Sequence, residues 1–296
     1  MNEKEILRRT SRSFYLTIRL LPKVVREDIA LAYLLARATD TIADTYVVPV
    51  AERMSWLQAA RHAVPSGKCW AVSWCLEQYV PAERELLRNL PRLSSRLLAR
   101  AEPVRALLGQ VMDHILAGQI FDLERFGPGA LPLTEEELTR YTYLVAGSVG
   151  EFWDDLCRLR LPNYTTAPPD LMRVRACRYG QALQLVNILR DRQMDDALGR
   201  VYVPAGQVAQ TEARAREGLV EGASYCGALR SGRLRYATLL PFLLGVRTLS
   251  LVSAQQDFMI TPAKVPRAEL RRWMQRALPV WWSPAAVGRL VRQVSE

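Results

Sequence analysis

Asp40-Thr-Ile-Ala-Asp44 puts two carboxylates four residues apart, and Asp191-Arg-Gln-Met-Asp195 repeats the spacing. On a helix such residues are neighbours, with Cβ atoms about 5–6 Å apart, and two like charges there destabilise a bare helix. Each pair follows an apolar run, Ile29 to Ala38 for the first and Ala182 to Leu189 for the second. Carboxylates set twice beside a buried face make sense when a cation lies between them. Mg²⁺ takes one or two such hard oxygen ligands, keeps several waters and completes its shell from phosphate oxygens. Arg37 stands three residues before Asp40, and Arg190 directly precedes Asp191. A guanidinium is well matched to phosphate oxygens. The pattern points to Mg²⁺-assisted chemistry on a diphosphate, with Asp40, Asp44, Asp191 and Asp195 on the metal and Arg37 and Arg190 on phosphate. For one pair taken alone, a solvated acidic face is the plain alternative.

The elements that must carry these residues are helices. Strand signals are scarce and helical periodicity runs throughout. Ile29, Ala32, Tyr33, Ala36 and Thr39–Asp40 form one stripe. A second helix is expected over about 139–159, with Thr134-x-x-Glu137 as the capping box that opens it. A third is expected over about 169–196. Gln184 and Asn187 share a face with Asp191 on that helix. Buried amides need partners, and a diphosphate or a water on the metal would serve. Prolines at 49, 65, 81, 91, 103, 132, 162, 168–169 and 204 mark the turns. The simplest reading is one all-α domain over 1–296, built from about eight to twelve helices.

Composition narrows the class. The 296 residues are 49% hydrophobic and 24% charged, which is globular and argues against disorder. Forty Lys and Arg against thirty Asp and Glu give +10, a balance suited to anionic partners. The arginines are spread along the chain without a basic run, which disfavours a nucleic-acid-binding protein. Cys69, Cys75, Cys157, Cys177 and Cys226 form no C-x-x-C, and with only His62 and His114 a His/Cys metal site is not expected. His114 lies in an apolar stretch and reads as a core histidine. A reduced, cytoplasmic setting is expected, and the charged Met1-Asn2-Glu3-Lys4-Glu5 start has no apolar h-region of a signal peptide. Tyr236 to Val246 contains Pro241 and reads as a buried helix. The basic tail Arg271 to Arg292 contains Trp281-Trp282 and is either a packed terminal helix or a site of peripheral membrane contact.

Five blocks in order resemble the squalene/phytoene synthases, the head-to-head trans-prenyl transferases, with the squalene type of bacteria the nearest. They are Ser11-Arg12-Ser13-Phe14-Tyr15; Tyr33 to Asp44 with Arg37; Tyr141-Thr-Tyr-Leu-Val-Ala-Gly-Ser-Val-Gly150; Gln184-Leu-Val-Asn187-Ile-Leu-Arg190-Asp191 to Asp195; and Gly199-Arg200-Val-Tyr-Val-Pro204. The resemblance implies an isoprenoid-synthase helical bundle around a deep apolar cavity, with the two aspartate-rich helices opposed at its mouth. It implies two prenyl diphosphate substrates, C15 farnesyl or C20, and Mg²⁺. In this pattern condensation gives a cyclopropyl diphosphate, which squalene synthases reduce with NADPH and phytoene or dehydrosqualene synthases quench by proton loss. Carried onto this chain, Tyr141 matches the proton-transfer tyrosine, and Arg12, Arg37, Arg190 and Arg200 match diphosphate contacts. Gln184 and Asn187 fall on the substrate face. Ser11 and Ser13 are phosphate donors or helix N-caps, and Phe14 lines the cation pocket or is plain core. Ala146, Gly147 and Gly150 make room for prenyl tails or allow close helix packing.

The chain also departs from the pattern. The acidic residue inside each aspartate motif of squalene synthases is replaced by Ala43 and Met194, with Asp196 as a neighbouring compensation. The K-x-R associated with NADPH in eukaryotic members has its nearest match in Lys264-Val-Pro-Arg267, one residue longer.

Overall fold

The computed structural model describes residues 2–11, 14–64, 68, 70–71, 78–127, 129–254 and 265–295. Among them are fourteen α-helices and no strand. One isolated antiparallel bridge joins Thr165 to Leu229. The all-α class expected from periodicity is therefore the one found. The helices outnumber the expected ones because the N-terminal third is cut into short pieces. A helix ends at Arg88, Asn89 caps it, and Pro91 opens the next within two residues. Proline suits a first helical turn, where an N–H has no intrahelical partner.

The chain divides into two compact units, Met1–Arg19 with Lys23–Arg125, and Leu20–Pro22 with Phe126–Glu296. The first is built from α1 (Glu3–Thr10), α2 (Phe14–Leu20), α3 (Lys23–Asp44), α4 (Val50–Ala63), α5 (Pro81–Arg88), α6 (Leu90–Leu98) and α7 (Glu102–Arg125). Its central helix is α3, which packs on α4, α5, α6 and α7. Val25, Ile29, Leu31, Leu34, Leu35, Ala38 and Ile42 are buried along it. Each large aliphatic side chain so buried contributes about 1.5–3 kcal/mol, enough to hold a helix whose last turn carries two carboxylates.

The second unit contains α8 (Glu135–Thr142), α9 (Ser148–Arg160), α10 (Pro169–Ala197), α11 (Val208–Ala228), α12 (Gly232–Ala254), α13 (Arg267–Arg276) and α14 (Ala285–Ser295). The Thr134 hydroxyl accepts from the Glu137 N–H, and the Glu137 carboxylate accepts from the Thr134 N–H, so the expected capping box opens α8. Between α8 and α9 the helix widens into one π-helical stretch, Tyr143–Gly147. α10 is the axis of this unit and packs on α9, α11, α12 and the π-helical stretch. A Cβ on Gly150 would lie 2.0 Å from the Ala176 carbonyl oxygen, and one on Gly180 would lie 2.2 Å from that of Ala146. Backbone meets backbone there, so the small residues of the 146–150 block serve close helix packing. The apolar segment around Pro241 lies within α12, where Leu239, Phe242 and Leu243 are buried. Among the described residues α12 is the one helix long and apolar enough to cross a membrane by length and composition, and half of its most apolar window is buried inside the protein.

Candidate functional site

In the first unit, Asp40 and Asp44 fall in the final turns of α3, which ends at Asp44. The last four carbonyls of a helix lack intrahelical donors, and the helix dipole makes this end negative. α3 has no basic residue in its last turn. The arginine one turn earlier compensates: Arg37 pairs with Asp40 through Nη1 and with Glu83 of α5 through Nη2 at 2.5 Å. Burial alone would lower the Arg37 pKa, but the Asp40 and Glu83 carboxylates outweigh it and hold the guanidinium firmly charged. Glu83 lies 46 residues from Arg37 in sequence and belongs to no motif, so nothing in the chain flagged it. Phe14 stacks on Tyr33 of α3 with ring centroids 5.3 Å apart, and the Tyr33 hydroxyl donates to the Thr10 carbonyl at 3.1 Å. Ser11 is the C-terminal cap of α1 and not an N-cap, and its buried hydroxyl donates to the Leu7 carbonyl, which leaves it no hydrogen for a phosphate. Arg12 and Ser13 lie outside the described residues.

In the second unit, Asp191 and Asp195 fall near the end of α10, which likewise has no basic residue in its last turn. Arg190 grips Asp191 in a fork, Nε to Oδ1 at 2.8 Å and Nη2 to Oδ2 at 2.5 Å. These hydrogen bonds push the Arg190 pKa up against the opposing effect of burial. Arg200 Nη2 reaches Asp195 Oδ1 at 3.0 Å, and the Arg200 N–H donates to the Asp195 carbonyl at 2.8 Å. Gly199 turns the chain with φ +76°, and its N–H donates to the Asp196 carbonyl at 3.0 Å. Those two backbone bonds make a Schellman motif, for which a left-handed glycine is the preferred residue. Asp196 pairs with Arg192 at 3.5 Å, and burial raises its pKa. Gln184 is half-buried but Asn187 is exposed. The Asn187 amide donates to the Gln184 amide oxygen at 3.4 Å, so the two form a weak pair of their own beside Asp191.

Tyr141 is buried on α8 and stacks on Tyr202, with centroids 5.2 Å apart and planes 26° from parallel. Phe126 meets the other side of this group edge-on at 4.8 Å from Tyr202. The Val201 carbonyl accepts from the Leu133 N–H at 3.1 Å. The segment after α10 thus ties the aspartate-bearing helix end to Tyr141, a link that the Gly199-Arg200-Val-Tyr-Val-Pro204 block did not announce. Tyr143 instead donates to Glu151 at 3.2 Å, and burial followed by that carboxylate raises its pKa. His114 is half-buried on α7. Lys264 lies outside the described residues, and Arg267 is described only as the first residue of α13.

Two helix ends, one in each unit of an all-α protein, thus each carry carboxylates four apart with an arginine on the first of them. Residues 7–212 match the squalene/phytoene synthase family, and the chain belongs to it. It is 34% identical over 210 residues to a bifunctional lycopene cyclase/phytoene synthase of Blakeslea trispora, covering 68% of this chain and 32% of that one. It is 28% identical over 206 residues to a squalene synthase of Schizosaccharomyces pombe, covering 68% and 43% respectively. The chain thus spans about a third of the length of the first of these relatives and under half of the second. Among solved structures, a dehydrosqualene synthase in complex with a ligand shares the fold, with a TM-score of 0.65 at 21% identity over 98% of this chain and 95% of that one.

Proposed function

We propose that the protein joins two allylic prenyl diphosphates head to head, with farnesyl diphosphate as the substrate and presqualene diphosphate as the first product. The observation that supports this most is the recurrence of one device, a carboxylate pair near a helix C-terminus with an arginine paired to its first member, in the family's own chain order. By donor chemistry each helix end suits Mg²⁺, with two hard carboxylates, Asp40 with Asp44 and Asp191 with Asp195, at a pole whose dipole favours a cation, although no group of three or more possible ligands comes together among the described residues. Bound there, the metal supplies charge neutralisation that makes diphosphate a competent leaving group. The reading draws on both units, since α3 belongs to one and α10 to the other, and treats 1–296 as one prenyl-synthase domain.

The chain's own residues then act as follows. Arg37, Arg190 and Arg200 hold diphosphate oxygens, with Arg12, Ser13, Gln184 and Asn187 completing the contact; the Ser11 hydroxyl is committed to the Leu7 carbonyl and takes no part. The first C–O bond breaks and diphosphate departs with the bonding electrons. The double bond of the second substrate attacks the allylic cation, and loss of one proton closes the cyclopropane. Tyr141 relays that proton, its ring fixed by the stack on Tyr202. Phe14 lines the cation pocket, and the surrounding apolar side chains keep water from it. After the second diphosphate departs, NADPH held by this chain would supply the hydride that makes squalene the product. Lys264 and Arg267 are the candidates for holding that cofactor.

A second reading, phytoene or dehydrosqualene synthase, ends in proton loss instead. The 34% identity to a bifunctional phytoene synthase favours it. Purified protein incubated with Mg²⁺ and farnesyl or geranylgeranyl diphosphate, with and without NADPH, decides by product mass. Presqualene diphosphate or squalene from farnesyl diphosphate supports the first reading. A C40 product, or dehydrosqualene whether or not NADPH is present, supports the second. No diphosphate release from either substrate refutes both.

The protein is placed in the cytoplasm with peripheral membrane contact through its basic tail. Trp282 is 76% exposed and Leu278 is exposed beside it, and residues 271–292 contain five arginines and no acid. Co-sedimentation with anionic vesicles, lost in Trp282→Ala, checks this.

A further inference from the structure

The carboxylate-bearing end of α3 is held by two buried side chains that belong to no motif. Arg53 of α4 is 4% exposed. Its Nη1 donates to the Ala43 carbonyl, inside the Asp40–Asp44 turn, and its Nε donates to the Val48 carbonyl at 3.0 Å. Its guanidinium also lies over the Tyr46 ring, 5.3 Å from the centroid. Gln78 is 7% exposed and donates to the Thr45 hydroxyl at 2.9 Å. Thr45 in turn donates to the Thr41 carbonyl at 2.6 Å. The Gln78 amide oxygen accepts from the Val80 N–H at 3.0 Å, and Arg84 Nε donates to the Gln78 carbonyl at 2.8 Å. Of the orphan carbonyls that every helix end presents, that of Ala43 is covered by Arg53 directly, and that of Thr41 by the Thr45 hydroxyl, which Gln78 holds in turn.

Burying a guanidinium against carbonyls is expensive, and water or a neutral donor would satisfy the same oxygens. What a guanidinium adds is a fixed positive charge at the negative pole of the helix, one residue from Asp44. We infer that Arg53, assisted by Gln78, is a positioning residue for the α3 carboxylates: it fixes the last turn of the helix so that Asp40 and Asp44 are pre-organised for the divalent cation. This rests on the proposed reading of those aspartates as metal ligands.

Arg235 supplies the matched control. It is 2% exposed and clamps the carbonyls of Leu229 at 2.7 Å, Arg230 at 3.1 Å and Val280 at 2.7 Å, just past the end of α11. It performs the same structural task beside no carboxylate pair. The full-length protein and its variants are titrated with Mg²⁺ in the presence of inorganic pyrophosphate by calorimetry. Diphosphate release from farnesyl diphosphate is followed across the same Mg²⁺ range, with helical circular dichroism and Tm recorded for each variant.

Arg53→Gln is expected to raise the Mg²⁺ half-saturation about tenfold in both measurements, as loss of an outer partner of a metal ligand does, while kcat at saturating Mg²⁺ changes by no more than about twofold. Gln78→Leu moves it the same way by less, and Arg53→Lys, which reaches one carbonyl, falls between. Arg235→Gln lowers Tm but leaves the Mg²⁺ half-saturation in place. If Arg53→Gln does not fold, Arg53→Lys and Gln78→Leu decide by the same readout. Folded Arg53 variants with wild-type Mg²⁺ affinity overturn the inference alone, as does an equal shift in Arg235→Gln. A wild-type protein without Mg²⁺-dependent pyrophosphate binding overturns the reading of the aspartates together with the inference.

Discussion

The ends of α3 and α10 carry the same carboxylate spacing and are secured by different means. At α10 the means are local. Gly199 and Arg200 follow directly, close a Schellman motif, and Arg200 lays its side chain on Asp195. At α3 there is no glycine stop. The helix end is held instead by Arg53 and Gln78, which come from outside the motif, and Arg37 is braced by Glu83. One spacing can therefore be made rigid by a turn motif or by buried polar anchors. The first is robust to changes elsewhere in the unit, whereas the second depends on α4 and α5 being packed correctly.

The severest test of this parallel removes a carboxylate from either end. Asp40→Ala and Asp191→Ala are each expected to reduce diphosphate release from farnesyl diphosphate about a thousandfold or more, with the helical circular dichroism spectrum unchanged. Full turnover by either variant refutes the metal assignment, and strongly unequal losses break the parallel. Tyr141→Phe preserves the stack on Tyr202 while removing the hydroxyl. Product formation should fall by about a hundredfold or more, with substrate KM little altered; unchanged kcat would remove Tyr141 from the proton relay. Arg200→Gln frees Asp195 and should raise the Mg²⁺ requirement about tenfold. Wild-type Mg²⁺ dependence in that variant would show that the Schellman turn alone secures α10.

A carboxylate that is fully buried, unlike those at the two helix ends, sharpens the contrast, because no arginine forks onto it. Asp154 is 1% exposed and accepts hydrogen bonds from Tyr164 at 2.9 Å and Tyr225 at 3.0 Å, both on Oδ1. Its Oδ2 has no hydrogen-bond partner. Burial outweighs the two tyrosine hydrogen bonds and raises its pKa to about 6 from 3.8. The folded protein keeps this proton to about pH 6, whereas the unfolded chain loses it near pH 4. The folded state binds more protons in that window, so this contribution to stability is lost as pH rises through it, then stays level. Asp154→Asn should abolish the slope and raise stability at pH 7 by about 1–2 kcal/mol, the orphaned amide offsetting part of the gain. Urea melts at pH 4.5 and 7 give the measurement; a slope that survives means that Asp154 does not cause it. The smallest effect belongs to Gly199→Ala. A non-glycine residue at φ +76° costs about 1 kcal/mol, and a thermal melt should show it. No loss would mean that the turn relaxes at no cost.

Much of this was legible in the chain, and the legible part was local. The capping box at Thr134, the helix opened by Pro169 and the buried helix around Pro241 follow from patterns a few residues long. The neighbourhood of Arg37 with Asp40 and of Arg190 with Asp191 was equally visible, because helix geometry alone brings such residues together. The open choice for Ala146, Gly147 and Gly150 was not resolvable from sequence, since whether a small residue faces a cavity or a carbonyl depends on what lies opposite. The backbone of α10 lies there. Gln184 and Asn187 were expected to be buried, but the face they share turns outward at Asn187. Tyr202 had no role assigned within its block, and the structure makes it the platform for Tyr141.

By itself the sequence determined the helical class, the order of the motif blocks and the spacing of the acidic pairs. Each is set by contacts within one or two turns of backbone, which periodicity and caps encode directly. Only the tertiary structure decided which partners anchor those acids. Glu83, Arg53 and Gln78 come from segments outside the α3 motif, and Tyr202 is distant from Tyr141 in the chain. A buried polar group is satisfied by whatever packing brings to it, and linear spacing carries no record of that.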